Sequence, residues 1–187
     1  SSDLLQDGKP VRMSKRTGKA IALHDLLDEI SVDAARYYFN NRVPNSPLDF
    51  DLGLAVREDS ENPVYYVEYA HARICSLLRT LKEEGASVPA QADVDLSLLS
   101  GETEQALIKQ IAQFCEEVKL AARDYDPSYI NRYLVNLAAR FHKFYHDDRI
   151  KGEAPAVRDA RWKLADTVRT VLENGLDVIG VSAPERM

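Results

Sequence analysis

The sequence predicts a mainly α-helical protein: a helical bundle preceded by a short β-hairpin, a loop and small helices. Three observations carry this. Apolar residues recur at helical spacing in four stretches of about 20 residues each between Asn62 and Ile179. The ends of those stretches are marked, by Asn62-Pro63 and Asp126-Pro127 at two starts and by Gly85, Gly152 and Gly180 at three breaks. The hairpin signal, Asp7-Gly8 between two short extended pieces, is confined to the first residues.

Taken in order, Leu4 to Val11 reads as the hairpin, and a cationic loop comes directly after it. Ile21 to Ile30 has apolar residues at 23, 26, 27 and 30, a helical spacing. Ser31 is placed to cap a second helix from Val32 to about Asn41. Arg42 to Pro47, with two prolines and no periodicity, is a connector. Leu48 to Leu52 alternates apolar and acidic residues, as a short strand or an extended arm would. A long helix then runs from Asn62, its capping residue, to about Glu84, with Val64, Val67, Ala70, Ile74, Leu77, Leu78 and Leu81 inward. Ala86 to Gly101 is a polar linker. The next helix spans Thr103 to Arg123, with Leu107, Ile111, Phe114, Cys115 and Val118 as core positions. The third runs from Asp126-Pro127 to about Ile150, with Ile130, Leu134, Leu137, Phe141 and Phe144 inward. The fourth runs from Ala156 to Ile179, with Val157, Leu164, Val168, Val171 and Leu172 inward and Gly180 just past its end. The expected boundary lies near residues 45–58, dividing a first part, 1–50, from the bundle, 51–187.

Composition narrows the function classes. The 187 residues are 45% hydrophobic and 29% charged, an ordinary globular balance, and no apolar run reaches the roughly 20 residues a membrane span needs. The net charge of −6 argues against a protein that coats nucleic acid non-specifically, while leaving room for a local site. Cys75 and Cys115 read as buried small apolar residues in a reducing compartment, so the expected location is the cytoplasm. The four histidines are scattered, nothing completes a metal site around His142 and His146, and no metal or cofactor is expected. The chain opens on Ser1-Ser2, without methionine, and reads as a piece of a longer protein.

Two stretches carry chemistry. Arg12, Lys15, Arg16 and Lys19 put four cations into eight residues, with Ser14, Thr17 and Gly18 among them. These are groups that hold phosphate, although the spacing is not that of a Walker A loop, and a solvated surface loop can be equally basic. On the long helix, at about 100° per residue, Asn62, Tyr66, Tyr69 and Arg73 fall within one arc of about 60°, away from the apolar stripe centred near Ile74. Phenols and a guanidinium can stack on unpaired bases, and an amide can read a base edge. The competing interpretation is that the tyrosines simply border the core and Asn62 only caps the helix. Tyr145, at the edge of its helix's apolar stripe, is open to the same two interpretations. Arg158, Trp162 and Arg169 share a further face, either a second basic-aromatic patch or a docking surface.

Arg12-Met13-Ser14-Lys15-Arg16 resembles the Lys-Met-Ser-Lys-Ser motif of class I aminoacyl-tRNA synthetases. Thr17-Gly18-Lys19-Ala20 and Leu26-Leu27-Asp28-Glu29 resemble the form it takes in bacterial arginyl-tRNA synthetases. So do Val32 to Phe39, Asn62 to Arg73 and the ending Gly180 to Met187, and together the similarity covers essentially the whole chain. Arg12 and Arg16 depart from the motif, and neither a His-x-Gly-His motif nor a Rossmann core is present. The resemblance implies the C-terminal part of such an enzyme, in which 1–50 is the edge of the catalytic domain and 51–187 a helical anticodon-binding domain.

It further implies that Lys15 neutralises phosphates of ATP, the substrate of the intact enzyme together with Mg, as pyrophosphate leaves. Ser14 would assist by hydrogen bonding, with Met13 and Arg12 at the nucleotide. Tyr66, Tyr69, Arg73, Asn62, Tyr145 and Met187 would meet the anticodon stem-loop of arginine tRNA. Met187 is included because the family's chain end folds back there, where a thioether can pack on a base. The implied partners are that tRNA and the missing N-terminal catalytic domain, with no membrane. Two other readings are a cysteinyl or methionyl synthetase tail and a helical protein-interaction module without RNA affinity.

Overall fold

A computed structural model describes residues 4–6, 8–10, 23–43 and 49–187. The cationic loop, with Arg12, Met13, Ser14 and Lys15, lies outside the described residues.

The hairpin forms as its turn signal predicts, with β1 (Leu4–Gln6) antiparallel to β2 (Lys9–Pro10). The later alternating stretch supplies β3 (Phe50–Asp51), which pairs parallel to β1 on its other side, giving the order β2-β1-β3. Asp51 fastens this corner. One carboxylate oxygen accepts from Gly8 N at 3.0 Å, and the other caps a short helix, α3 (Leu52–Ala55), through Leu54 N at 3.2 Å. Between the strands lie α1 (Leu23–Leu27) and α2 (Val32–Asn40). Ser31 Oγ accepts from Ala34 N at 3.0 Å, the predicted cap. Leu26 and Ile30 are buried, whereas Leu23 and Leu27 of the same spacing face outward.

The bundle comprises α4 (Pro63–Glu83), α5 (Glu102–Ala112), α6 (Phe114–Asp124), α7 (Ser128–Asp147) and α8 (Pro155–Val178). Helix α7 is the central element, packing against α4, α5, α6 and α8. Ile130, Leu134, Leu137, Phe141 and Phe144 are all fully buried on it, as the 3.6-residue spacing requires. Helix α8 comes close to it because residue 175 is glycine: a Cβ there would meet Leu134 Cδ2 at 2.6 Å. Gly180, at φ +70°, ends α8 in the left-handed conformation, and Val181 N closes the turn on Leu176 O at 3.0 Å.

Three expectations are corrected. The helix predicted over 103–123 is two helices, broken at Gln113. The hydroxyl of Tyr133, on α7, donates to Gln110 O at 2.9 Å, and Gln113 N takes the same carbonyl at 3.2 Å. That carbonyl would otherwise accept from Phe114 N and continue the helix. The break re-phases α6 relative to α5, so Cys115 is exposed rather than a core position, while Cys75 is buried. The polar linker holds two 3₁₀ turns, Gln91–Asp93 and Leu96–Leu98, and Leu99 plugs the core. Asn62 sits at the N-cap position of α4 but makes no side-chain capping bond.

The hydrophobic core runs without interruption across the predicted boundary. Helix α2 is held to the bundle by Asn131 Nδ2 donating to Tyr37 O at 2.9 Å and by Asn40 Nδ2 donating to Ile179 O at 3.0 Å. The face of α4 not used by this core is thereby fixed in orientation.

Candidate nucleic-acid interface

Helix α4 presents Tyr65, Tyr66, Tyr69 and Arg73 beside His142 and Tyr145 of α7. The two helices pack through Val64, Val67, Ala70, Ile74 and the buried face of α7, which sets these six side chains along one seam. Tyr66 and His142 have ring centroids 4.9 Å apart, and Tyr69 lies over His142 at 5.8 Å and 29°. Tyr65 is parallel to Tyr69, 6.3 Å away. The Arg73 guanidinium carbon stands 4.3 Å from the Tyr145 ring centroid and 5.8 Å from that of Tyr69. Phe141, fully buried, anchors Tyr145 at 5.9 Å. Tyr69 is 40% exposed and Met187 55% exposed, so both offer apolar surface to a partner.

Among the described residues Arg73 forms no ion pair; its cation rests on aromatic faces. The cations of α8 differ. Arg158 lies over the buried Trp162 and pairs with Asp159 at 2.9 Å, while Arg169 pairs with Asp166 at 3.1 Å and Glu173 at 2.9 Å. Carboxylates cancel the charge of that second basic-aromatic face, whereas the Arg73 cation of the α4–α7 seam is uncommitted to any carboxylate among the described residues.

Three hollows open along the seam. One, of about 420 Å³, is lined by Ser60, Tyr65, Tyr66, Tyr69, Arg73 and His142. A second, of about 450 Å³, is lined by Tyr69, Arg73, Ser76, Arg79, Arg186 and Met187. A third, of about 390 Å³, is lined by Arg73, Ser76, Thr80, Tyr145, Asp148 and Arg149. Burial, reinforced by the Arg73 charge and opposed by a hydrogen bond to the Tyr66 backbone, holds the His142 imidazole below its ordinary pKa. It is therefore neutral at pH 7, and its Nε2 is buried without a hydrogen-bond partner. Burial raises the Tyr66 phenol, which keeps it protonated.

The structure brings together Tyr66, Tyr69, Arg73, Tyr145 and Met187 among the residues singled out from sequence. Asn62 is not with them. It is 3% exposed; its amide nitrogen donates to Arg57 O at 2.8 Å and Ala55 O at 3.3 Å, and its oxygen accepts from the Tyr38 hydroxyl at 3.2 Å. Fully engaged inside the fold, it has no group left to read a base. Sequence reasoning missed His142 and Tyr65. The signal for His142 was its i, i+3 relation to Tyr145 on one helix face. Among the described residues no group of three or more His, Cys, Asp or Glu side chains could hold a metal ion, and no helix is long and apolar enough to cross a membrane.

The sequence profile of the DALR anticodon binding domain matches residues 67–187, which include the whole seam from Tyr69 onward. The chain belongs to the DALR anticodon-binding domain family. Relatives of this DALR domain agree. The chain is 51% identical to an arginine–tRNA ligase of Caldanaerobacter subterraneus subsp. tengcongensis over 184 residues, 98% of this chain and 33% of that protein. With the enzyme of the same name from Acetivibrio thermocellus the identity is 48% over the same shares. The chain thus spans about a third of the length of the curated relatives it matches, within their C-terminal region. Among solved structures, a putative arginyl-tRNA synthetase from Campylobacter jejuni superposes with a TM-score of 0.86 at 32% identity, covering 100% of this chain and 40% of that one. The arginyl-tRNA synthetase of Thermus thermophilus, at 24% identity and a TM-score of 0.80 over 98% of this chain and 34% of that one, shares the fold.

Proposed function

We propose that this DALR domain binds the anticodon stem-loop of arginine tRNA, as the C-terminal region of a cytoplasmic enzyme that ligates arginine to its tRNA with ATP. The observation that carries the reading is the seam of Tyr66, Tyr69, Tyr145 and Arg73, with Arg73 held on rings rather than by a carboxylate. Unpaired anticodon bases offer π-faces to such rings and phosphates to such a cation.

Residues 51–187 form the RNA-binding unit in this reading, and 1–50 the edge of a catalytic domain. There Lys15 stabilises the charge developing on leaving pyrophosphate, with Ser14 donating a hydrogen bond and Met13 and Arg12 beside the nucleotide. Support for these four roles is the motif resemblance together with the high identity to arginine–tRNA ligases. ATP, with Mg, is then a substrate of the intact enzyme. The 187-residue chain alone makes no arginyl-adenylate in this reading, because the residues for binding arginine and adenine lie in the preceding domain.

The test is a binding titration of the chain with an arginine anticodon-arm RNA hairpin and with a variant whose middle anticodon cytosine is changed. Weaker binding of the variant supports the reading. Equal binding of the two favours a tail of another class I synthetase, of cysteinyl or methionyl type, and binding of neither favours a protein-interaction module.

A further inference from the structure

We propose that His71, together with Arg79, latches residues 181–187 across α4, so that Met187 completes one wall of the RNA groove. The inference rests on the assignment of that groove to RNA. His71 is then a positioning residue: it lies off the RNA face and acts through the segment it holds.

The route of the segment is traced by its contacts. After Gly180, Val181 is buried and Ala183 packs on the core. The Pro184 carbonyl lies 2.9 Å from His71 Nδ1. A carbonyl only accepts, so Nδ1 carries the proton and donates. Arg79 Nη1 then donates to the next carbonyl, Glu185 O, at 2.9 Å. His71, Cys75 and Arg79 succeed one another at spacings of four and run along one side of α4. Tyr69, Arg73 and Ser76 occupy the adjoining side, where Arg186 and Met187 stand opposite them across about 450 Å³. Residues 184 and 185 are therefore pinned to α4 at His71 and Arg79, and 186 and 187 come to rest by the adjoining side, in a hollow that Arg79 also lines.

A segment without helical or strand hydrogen bonds of its own frays unless it is tied down. Here the two tied carbonyls are consecutive, and both lie immediately before the residues that form the wall. His71 is 2% exposed, so its bond to Pro184 is shielded from competing water. Released, the segment would leave the groove with the α4 wall alone, and Met187 would no longer stand beside Tyr69.

The sequence has two methionines, so ¹³C-methyl labelling gives two signals, and Met187→Ala assigns that of Met187. In the 187-residue chain the Met187 methyl is expected away from its random-coil position. In His71→Ala it moves to that position and sharpens. His71→Asn, whose amide nitrogen sits near the place of Nδ1, restores it. Titrated with the arginine anticodon-arm hairpin, His71→Ala binds about five- to tenfold more weakly, the size of one shielded hydrogen bond. In a Met187→Ala background the same change adds less than about twofold, because the cycle isolates what acts through Met187. A Met187 signal unchanged in His71→Ala overturns the latch. So does an equal loss of affinity in both backgrounds, which would mean that His71 acts through the fold. If the unaltered chain does not bind the hairpin, the RNA assignment fails, and the methyl signal still decides the latch.

Discussion

Replacing Asn62 with alanine should destabilise the protein without weakening its hold on RNA. The side chain joins three elements: Tyr38 of α2, the carbonyls of Ala55 at the end of α3 and of Arg57 just beyond it, and the start of α4. Removing it leaves the Tyr38 hydroxyl and the Ala55 carbonyl without these partners in buried surroundings, whereas the Arg57 carbonyl, on an exposed residue, can rehydrate. Burial pushes the Tyr38 phenol up to about 12, helped by the Asp51 charge, so the hydroxyl stays a donor and its loss of an acceptor is felt in full. Two buried groups unpaired at roughly 1–3 kcal/mol each give a loss of about 2–6 kcal/mol. For a chain of this size that lowers Tm by about 4–24 °C. Urea unfolding measures the loss, and titration with the anticodon-arm hairpin, well below the unfolding midpoint, measures affinity. An unchanged midpoint with affinity down about tenfold would refute the reasoning and return Asn62 to the RNA face.

Glu104→Ala should destabilise by about 3–6 kcal/mol in denaturant titration, because it removes two charge-assisted hydrogen bonds of roughly 1.5–3 kcal/mol each, from Arg161 at 2.7 Å and from Gly101 N at 2.8 Å, while Arg161 keeps Asp148 at 3.4 Å. Glu68→Gln should stabilise the protein at pH 7.5 and change little at pH 4.5. Burial, reinforced by Asp33, pushes the Glu68 carboxyl up to about 7. The folded state then holds this proton more tightly than the unfolded state, so the residue's contribution is lost as pH rises through about 7; thermal melts across that range track it. Thiol labelling of the native protein should modify Cys115 quickly and Cys75 slowly, since Cys75 is buried and burial raises its thiol pKa, and mass spectrometry of the labelled peptides reads the order.

What could be read from the sequence was local. Ser31 and Gly180 announce a helix start and a helix end through their own backbone and side-chain chemistry, and both act as expected. The arc of Tyr66, Tyr69 and Arg73 comes from the geometry of one helix and needs no knowledge of its neighbours. What escaped depends on distant parts of the chain. The break at Gln113 is imposed by a hydroxyl from Tyr133, and Asn62 turns inward because Tyr38 and the Ala55 and Arg57 carbonyls meet it there. His142 joins the seam only because α7 lies against α4. The α8 arginines looked like a second basic face until their carboxylate partners were in place.

The central claim is that the α4–α7 seam grips unpaired bases. Its most direct test is the affinity of the Tyr69→Ala, Arg73→Ala double variant for the arginine anticodon-arm hairpin, measured beside the unaltered chain at one fixed salt concentration. Loss of a stacking ring and of the cation beside it should weaken binding about tenfold or more, with the melting temperature little changed because Tyr69 is exposed and the half-buried Arg73 forms no ion pair among the described residues. Equal affinity of the two proteins would contradict the account.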